Sequence, residues 1–374
     1  MKRPILVVAG EGSGDAMAAP VIERLGVAAF GLGGPRLRNA GAELLGDASE
    51  LAAIGVGPTV AGAPAITRSV VRLLREIRRR RPRAALLVGY SEFNTWLGAR
   101  LRARGTRVLW YGAPQIWAWR PGRAPAIRRA CDRLAVVLPF EQGLWRGFGA
   151  DARYVGHPAL GKALADRAVL RTRLGFASGV AALALLPGSR AQELRRHLVP
   201  MLETVAQLAR GPSGVEARLF LAPALGSELR RWAAQRAERA GVTALEAPDT
   251  APLDAFDVAL VASGTATLEC AVRGVPPLIV YRTDRATELL ARYALRVPHI
   301  GLPNLLLGKR AFPELVQKAV AAPRLAAGVR ELLAARPMLL AECARVRSLL
   351  LEPLEHPELL PADRVARWFR PWLD

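Results

Sequence analysis

Short apolar runs, each closed by a small-residue turn and followed by a helical pattern, recur along this chain and leave few folds open. Ile5–Ala9 leads into Gly10-Glu11-Gly12-Ser13-Gly14-Asp15 and then a helical pattern to about Leu25. Val27–Gly31 follows, ended by Gly33-Gly34-Pro35, and residues 84–88, 107–111 and 133–137 repeat the pattern. Strands buried on both faces read as continuous apolar residues, and their alternation with helices, without hairpin signals, predicts a parallel sheet. A second series begins at Val180–Leu186 and continues with Arg218–Leu221, Val242–Leu245, Val258–Val261 and Pro277–Val280. At 374 residues the chain exceeds one ordinary core. An α/β protein of two Rossmann-like domains is expected, one over 1–163 and one over 164–336. Residues 337–374 carry apolar helices, at about 337–351 and 361–372, that pack back on the first domain.

Two strand-to-helix junctions in the second half suit a phosphate. They are Leu185-Leu186-Pro187-Gly188-Ser189-Arg190 and, about seventy residues on, Val261-Ala262-Ser263-Gly264-Thr265-Ala266-Thr267-Leu268-Glu269. Such a junction offers free backbone N–H groups and the positive end of a helix dipole. Arg190 adds a planar cation for a diphosphate, and Glu269, about one turn into its helix, is placed for ribose hydroxyls. Small-residue turns also occur in doubly wound domains without binding anything. The first Gly-rich turn does not fit the dinucleotide fingerprint.

The net charge is +21, and residues 1–160 hold 24 Lys/Arg against 11 Asp/Glu. Nucleic acid, an anionic membrane and a plain Arg/Ala compositional bias all account for such a balance. No zinc-finger spacing, RNP-type aromatic pattern or basic tail accompanies it, so no nucleic-acid partner is expected. Leu51 to Thr67 carry no charge, but Gly55, Gly57, Pro58, Gly62 and Pro64 argue against a spanning helix. Directly after come Arg68, Arg72, Arg75, Arg78, Arg79, Arg80, Arg81 and Arg83, opposed only by Glu76 and interleaved with Ile66, Val70, Val71, Leu73, Leu74 and Ile77. An apolar loop feeding a basic amphipathic helix suits an anionic membrane surface; a solvated helix packed on the sheet suits the pattern equally. The aromatic stretch Trp110 to Trp119 follows a strand, where its rings either stack on a ligand or plug the domain. The start, Met1-Lys2-Arg3-Pro4, leaves no room for a signal peptide and predicts a cytoplasmic protein. Cys131, Cys270, Cys343 and the four histidines match no metal or redox spacing, so neither a metal nor a cofactor is expected.

These motifs together resemble those of the bacterial lipid-A-disaccharide synthases along nearly the whole chain. To the turns already named are added Gln115-Ile116-Trp117-Ala118-Trp119-Arg120, Leu138-Pro139-Phe140-Glu141, Val155-Gly156-His157-Pro158, Tyr281-Arg282 and Leu302-Pro303-Asn304-Leu305-Leu306. The resemblance implies a GT-B glycosyltransferase, with two parallel sheets facing across a cleft. It implies transfer from UDP-2,3-diacylglucosamine to 2,3-diacylglucosamine 1-phosphate, without a metal, on the cytoplasmic face of the inner membrane. The products are UDP and a β-1,6-linked disaccharide. A related transferase or nucleotide-sugar epimerase with another acceptor, and an inactive UDP-sugar or membrane binder, are the rival readings. Whether the chain forms a homodimer is left open.

One departure lies on the acceptor side. Where the family has Gly-Ile-Asp-Ala-Pro-Asp-Phe-Asn, with its first Asp regarded as an essential base, this chain has Gly89-Tyr90-Ser91-Glu92-Phe93-Asn94. The turn is two residues shorter and that Asp is absent. The usual acid after the residue pair at Ile54-Gly55 is also replaced, by Gly57-Pro58-Thr59. The catalytic candidates are therefore Glu92, the nearest carboxylate, and Glu11; Glu92 read simply as a helix cap is the alternative. Substrate-binding candidates are Ser13, Arg190, Ser263, Gly264, Thr265, Glu269, Tyr281 and Asn304. Arg68, Arg72, Arg75, Arg78 and Arg79 are the membrane-facing candidates.

Overall fold

The computed structural model describes residues 3–47, 63–118, 120–161, 164–209, 214–246, 251–284 and 297–373. The chain forms two compact units, Met1–Gly161 with Leu350–Asp374, and Lys162–Leu349. The return to the first unit thus begins at Leu350, not at 337.

The first unit holds β1 (Ile5–Ala9), β2 (Ala29–Gly33), β3 (Glu43–Asp47), β4 (Ala84–Val88), β5 (Arg107–Tyr111), β6 (Arg133–Val136) and β7 (Ala152–Tyr154). All pair in parallel, in the order β3-β2-β1-β4-β5-β6-β7. The helices are α1 (Gly12–Leu25), α2 (Pro35–Asn39), α3 (Ala63–Arg80), α4 (Ser91–Arg102), α5 (Ala124–Ala130) and α6 (Pro139–Gly147). Successive side chains of a strand point to opposite faces. Leu6 and Val8 of β1 accordingly join a core with Leu73 and Ile77 of α3 and Leu97 of α4. Ile5, Val7 and Ala9 join a second core on the other face, with Ile22 of α1.

The second unit holds β8 (Ala181–Leu186), β9 (Val215–Phe220), β10 (Thr243–Leu245), β11 (Val258–Ala262), β12 (Pro277–Tyr281) and β13 (Glu314–Val316), parallel in the order β10-β9-β8-β11-β12-β13. Its helices are α7 (Arg167–Arg173), α8 (Ala191–Leu208), α9 (Ser227–Arg239), α10 (Thr265–Val272), α11 (Leu302–Leu307), α12 (Ala322–Ala334) and α13 (Arg336–Leu351), the last ending just past the boundary of the unit. The chain ends with α14 (Pro361–Phe369), whose Val365, Trp368 and Phe369 are buried in the core shared with α1. Arg24 pairs with Asp363, and Arg133 lies over the rings of Trp368 and Trp372, which fastens this helix to the first sheet.

Most strands fall where the apolar runs place them. The second begins at Ala29 instead of Val27, and β3, β7 and β13 were not expected. Helix α3 begins at Ala63, inside the uncharged stretch, whose residues 51–62 lie outside the described residues. In open parallel sheets ligands bind beyond the strand C-termini where the strand order reverses. Those points lie between β1 and β4 in one sheet and between β8 and β11 in the other.

Candidate functional site

The reversal point of the second sheet collects the donor-side candidates. Arg190 ends the turn between β8 and α8, and Ser263, Gly264 and Thr265 join β11 to α10. The two helix N-termini differ. At α8 the Ser189 and Arg190 N–H groups both donate to Glu193 Oε2, at 3.1 and 3.2 Å, and Arg190 Nη1 reaches Glu193 Oε1 at 3.2 Å. The N–H groups expected to be free are therefore already capped by a carboxylate of their own helix. Gly188 is confined by the same side chain, since a Cβ there would sit 2.5 Å from Glu193 Oε2.

At α10 no described carboxylate fills the N-terminus in this way. Gly264 has φ of 148°, which L side chains rarely adopt, and the space beside it is open. Ser263 is occupied with holding a neighbour: its Oγ donates to Ile300 O at 2.7 Å. Glu269 is half-buried on α10, and Tyr281 ends β12. Asn304 is fully buried, and its amide is committed within the protein. Nδ2 donates to Phe312 O at 2.8 Å and Glu314 Oε1 at 2.9 Å, while Oδ1 accepts from Phe312 N at 2.9 Å. Glu314 in turn accepts from the N–H groups of Ile300 and Gly301. Asn304 thus shapes the segment against which Ser263 is held, and its donors are spent on that task.

The reversal point of the first sheet lies between Glu11 and the turn Gly89-Tyr90-Ser91. Glu11 is the exposed residue preceding α1, and Ser13 is exposed in its first turn. Tyr90 takes a left-handed conformation, φ 47°, immediately before α4. Its ring covers the backbone of Gly10 so closely that a Cβ at Gly10 would meet it at 2.3 Å. Burial, and then the Glu11 carboxylate, push the Tyr90 phenol up to about 12. Glu92 lies in the first turn of α4, its side chain 73% exposed, paired with Arg123 Nη1 at 2.9 Å. Tyr90, not Glu92, occupies the cap position, and no side-chain cap bond is made there. Asn94 secures the turn from beneath, with Nδ2 donating to Gly89 O at 2.8 Å.

Three residues that sequence reasoning left without a role hold these turns. Asp15 is buried and accepts from Gly34 N (2.8 Å), Leu37 N (3.1 Å) and Arg36 N (3.0 Å), which ties α1 to the Gly33-Gly34-Pro35 turn. Glu141, also buried, accepts from Trp117 Nε1 (2.9 Å), Leu138 N (3.0 Å) and Val137 N (3.2 Å) and so latches the loop after β5. Burial pushes its carboxyl up to about 7, against those three donors. His197 links the turns of the second unit. A Glu three residues after a helix start signals a capping box, so Glu193 was legible; Asp15 acts across 19 to 22 residues of sequence and His197 across 10 and 85. In the aromatic stretch Trp110 and Tyr111 are buried in the core, as a plug, and Trp119 lies outside the described residues.

Helix α3 buries Leu73 and Ile77 and leaves Arg68, Arg72, Arg75, Arg78 and Arg79 exposed, with Val71 exposed among them. Arg79 and Arg80 both reach Glu76 and hold its carboxyl down to about 2; Arg80 also pairs with Glu43 of β3. Among the described residues no helix is long and apolar enough to cross a membrane.

A family model described as lipid-A-disaccharide synthetase matches residues 5–347. The lipid-A-disaccharide synthase of Anaeromyxobacter sp. (strain K) is 38% identical over 358 residues, covering 93% of this chain and 94% of that protein. The enzyme of that name from Myxococcus xanthus (strain DK1622) is 40% identical over 335 residues, covering 87% of each. Among solved structures the chain is similar to a calicheamicin glycosyltransferase, with a TM-score of 0.61 at 16% identity, covering 100% of this chain and 98% of that one. The two parallel sheets agree with this glycosyltransferase fold of the GT-B type. The chain therefore belongs to the lipid-A-disaccharide synthetase family.

Proposed function

We propose that the chain joins UDP-2,3-diacylglucosamine to 2,3-diacylglucosamine 1-phosphate, forming the β-1,6-linked lipid A disaccharide and UDP. The observation that carries this reading is the family match over residues 5–347, which spans the donor-side turns at the reversal point of the second sheet. The open N-terminus of α10, at Ser263-Gly264-Thr265, takes the diphosphate, where backbone N–H groups and the helix dipole favour negative charge. Arg190 turns from Glu193 to the phosphates and neutralises the charge that grows on departing UDP. Glu269 accepts from the ribose, Tyr281 borders the uridine, and Asn304 acts through the Glu314 segment. In the transfer the acceptor hydroxyl oxygen bonds to the anomeric carbon as the bond to UDP breaks. Its proton passes to a carboxylate, for which Glu92 and Glu11 are the candidates. Ser13 lies beside Glu11 to orient the acceptor.

Both substrates are acylated, and the exposed arginines of α3 suit the anionic cytoplasmic surface of the inner membrane, on which the chain sits peripherally. A second reading, a transferase with this donor and another acceptor, is favoured by one observation: the turn Gly89-Tyr90-Ser91, with Tyr90 at the helix cap, holds no Asp where the resemblance implies the family's base. The donor assignment is tested by calorimetry. Arg190→Ala and Glu269→Ala each remove a charge-assisted hydrogen bond, about 1.5–3 kcal/mol, and weaken UDP binding about ten- to a hundredfold. Unchanged UDP affinity in both variants refutes the pocket.

A further inference from the structure

We infer that His197 is a positioning residue for the donor diphosphate, tying together the two turns that flank the α10 N-terminus. The inference rests on the donor-site reading above. His197 lies on α8 and is fully buried. Its Nδ1 is 2.8 Å from Pro187 O, and its Nε2 is 2.9 Å from Arg282 N. A carbonyl only accepts and an amide N–H only donates. The ring is therefore the neutral tautomer with the proton on Nδ1, donating to Pro187 O and accepting from Arg282 N–H. Burial favours this neutral form.

Pro187 opens the Gly188-Ser189-Arg190 turn after β8, and Arg282 follows β12. In the sheet β8 and β12 are not neighbours; they lie on either side of β11. The ring therefore spans from one flank of β11 to the other, at the end where β11 gives way to Ser263-Gly264-Thr265. One rigid side chain sets the separation of the Arg190 turn from the Tyr281–Arg282 strand end. Another tie between α8 and this segment, Arg196 to Asp284 at 3.3 Å, joins two partly exposed side chains, and such a pair holds geometry weakly.

The test uses the full-length protein and two variants. His197→Leu fills the same space without hydrogen bonds. His197→Gln carries an amide donor and a carbonyl acceptor that can rebuild both. Amide hydrogen exchange and calorimetry with UDP are read on each. In the Leu variant exchange at Arg282 rises at least about tenfold and UDP affinity falls about tenfold, while the KM for the lipid acceptor stays unchanged. The Gln variant restores most of both. If the Leu variant does not fold, His197→Asn replaces it: Asn reaches Pro187 but is too short for Arg282, and the same loss of UDP affinity is expected. UDP affinity within twofold of the parent, with exchange at Arg282 raised, overturns the positioning role. Unchanged exchange at Arg282 overturns the tie itself. A parent protein that does not bind UDP refutes the donor site instead, and the exchange arm still decides whether the ring couples the two turns.

Discussion

Removing the Asp15 carboxylate should unfold the first unit far more readily than any exposed carboxylate would. Asp15 is 2% exposed and serves three backbone donors, Gly34 N, Leu37 N and Arg36 N, at 2.8, 3.1 and 3.0 Å. A hydrogen bond to an ionised group contributes about 1.5–3 kcal/mol, and a buried donor left alone loses about 1–3 kcal/mol. The bonds share one carboxylate and are not additive, so Asp15→Ala is expected to cost about 3–5 kcal/mol. That is a large part of the roughly 5–15 kcal/mol by which a domain is stable. Asp15→Asn keeps one oxygen, enough for Gly34 and Leu37, and turns an NH2 toward Arg36 N–H. Its expected cost is smaller, about 1–3 kcal/mol. Urea unfolding, followed by amide exchange in β1 so that the first unit is read separately, measures both. UDP binding should persist in both variants below the transition, because the donor-side residues belong to the other unit. An Ala variant within about 1 kcal/mol of the parent, or an Asn variant as damaged as Ala, would refute the reasoning.

Three further outcomes follow from the same geometry. Glu92→Gln should leave UDP-sugar binding intact and cut turnover about a hundred- to ten-thousandfold if Glu92 is the base. Its exposed pair with Arg123 contributes less than about 1 kcal/mol, so the thermal midpoint should barely move; normal turnover shifts the role to Glu11. Replacing Arg75, Arg78 and Arg79 by Glu should lower co-sedimentation with anionic vesicles, each exposed Arg contributing about 1 kcal/mol at low salt, with Arg79 the smallest share because Glu76 already holds it. Binding insensitive to both the substitutions and salt would leave α3 a solvated helix. Burial lowers His157 from 6.5 to about 4, so below pH 6.5 the unfolded chain takes up a proton that the folded chain refuses. Stability from this group is complete above pH 6.5 and falls by about 3 kcal/mol toward pH 4. His157→Asn should therefore gain that amount relative to the parent over the same interval in urea unfolding. A difference independent of pH contradicts it.

The central strands of both sheets were legible because each is buried on two faces and reads as an unbroken apolar run, as in Leu6-Val7-Val8 and Leu183-Ala184-Leu185. The edge strands β3, β7 and β13 were not. Ala152-Arg153-Tyr154 and Glu314-Leu315-Val316 are three residues long and partly exposed, and become strands only by pairing with a neighbour. The site divides in the same way. Turns of small residues after apolar runs announce where backbone N–H groups gather, and both reversal points carry them. What the side chains near those turns do depends on which groups the fold sets beside them. Asn304 reads as a ligand to the donor but spends its amide on Phe312 and Glu314, and Glu193 caps the N–H groups that Arg190's turn seemed, from sequence, to leave open.

The most direct measurement is product formation. Purified protein is incubated with UDP-2,3-diacylglucosamine and 2,3-diacylglucosamine 1-phosphate, and UDP and lipid products are followed by mass spectrometry. The proposed function predicts the disaccharide, with one UDP released per disaccharide formed. UDP-sugar bound without any disaccharide, in a protein whose donor pocket is intact by calorimetry, would contradict it.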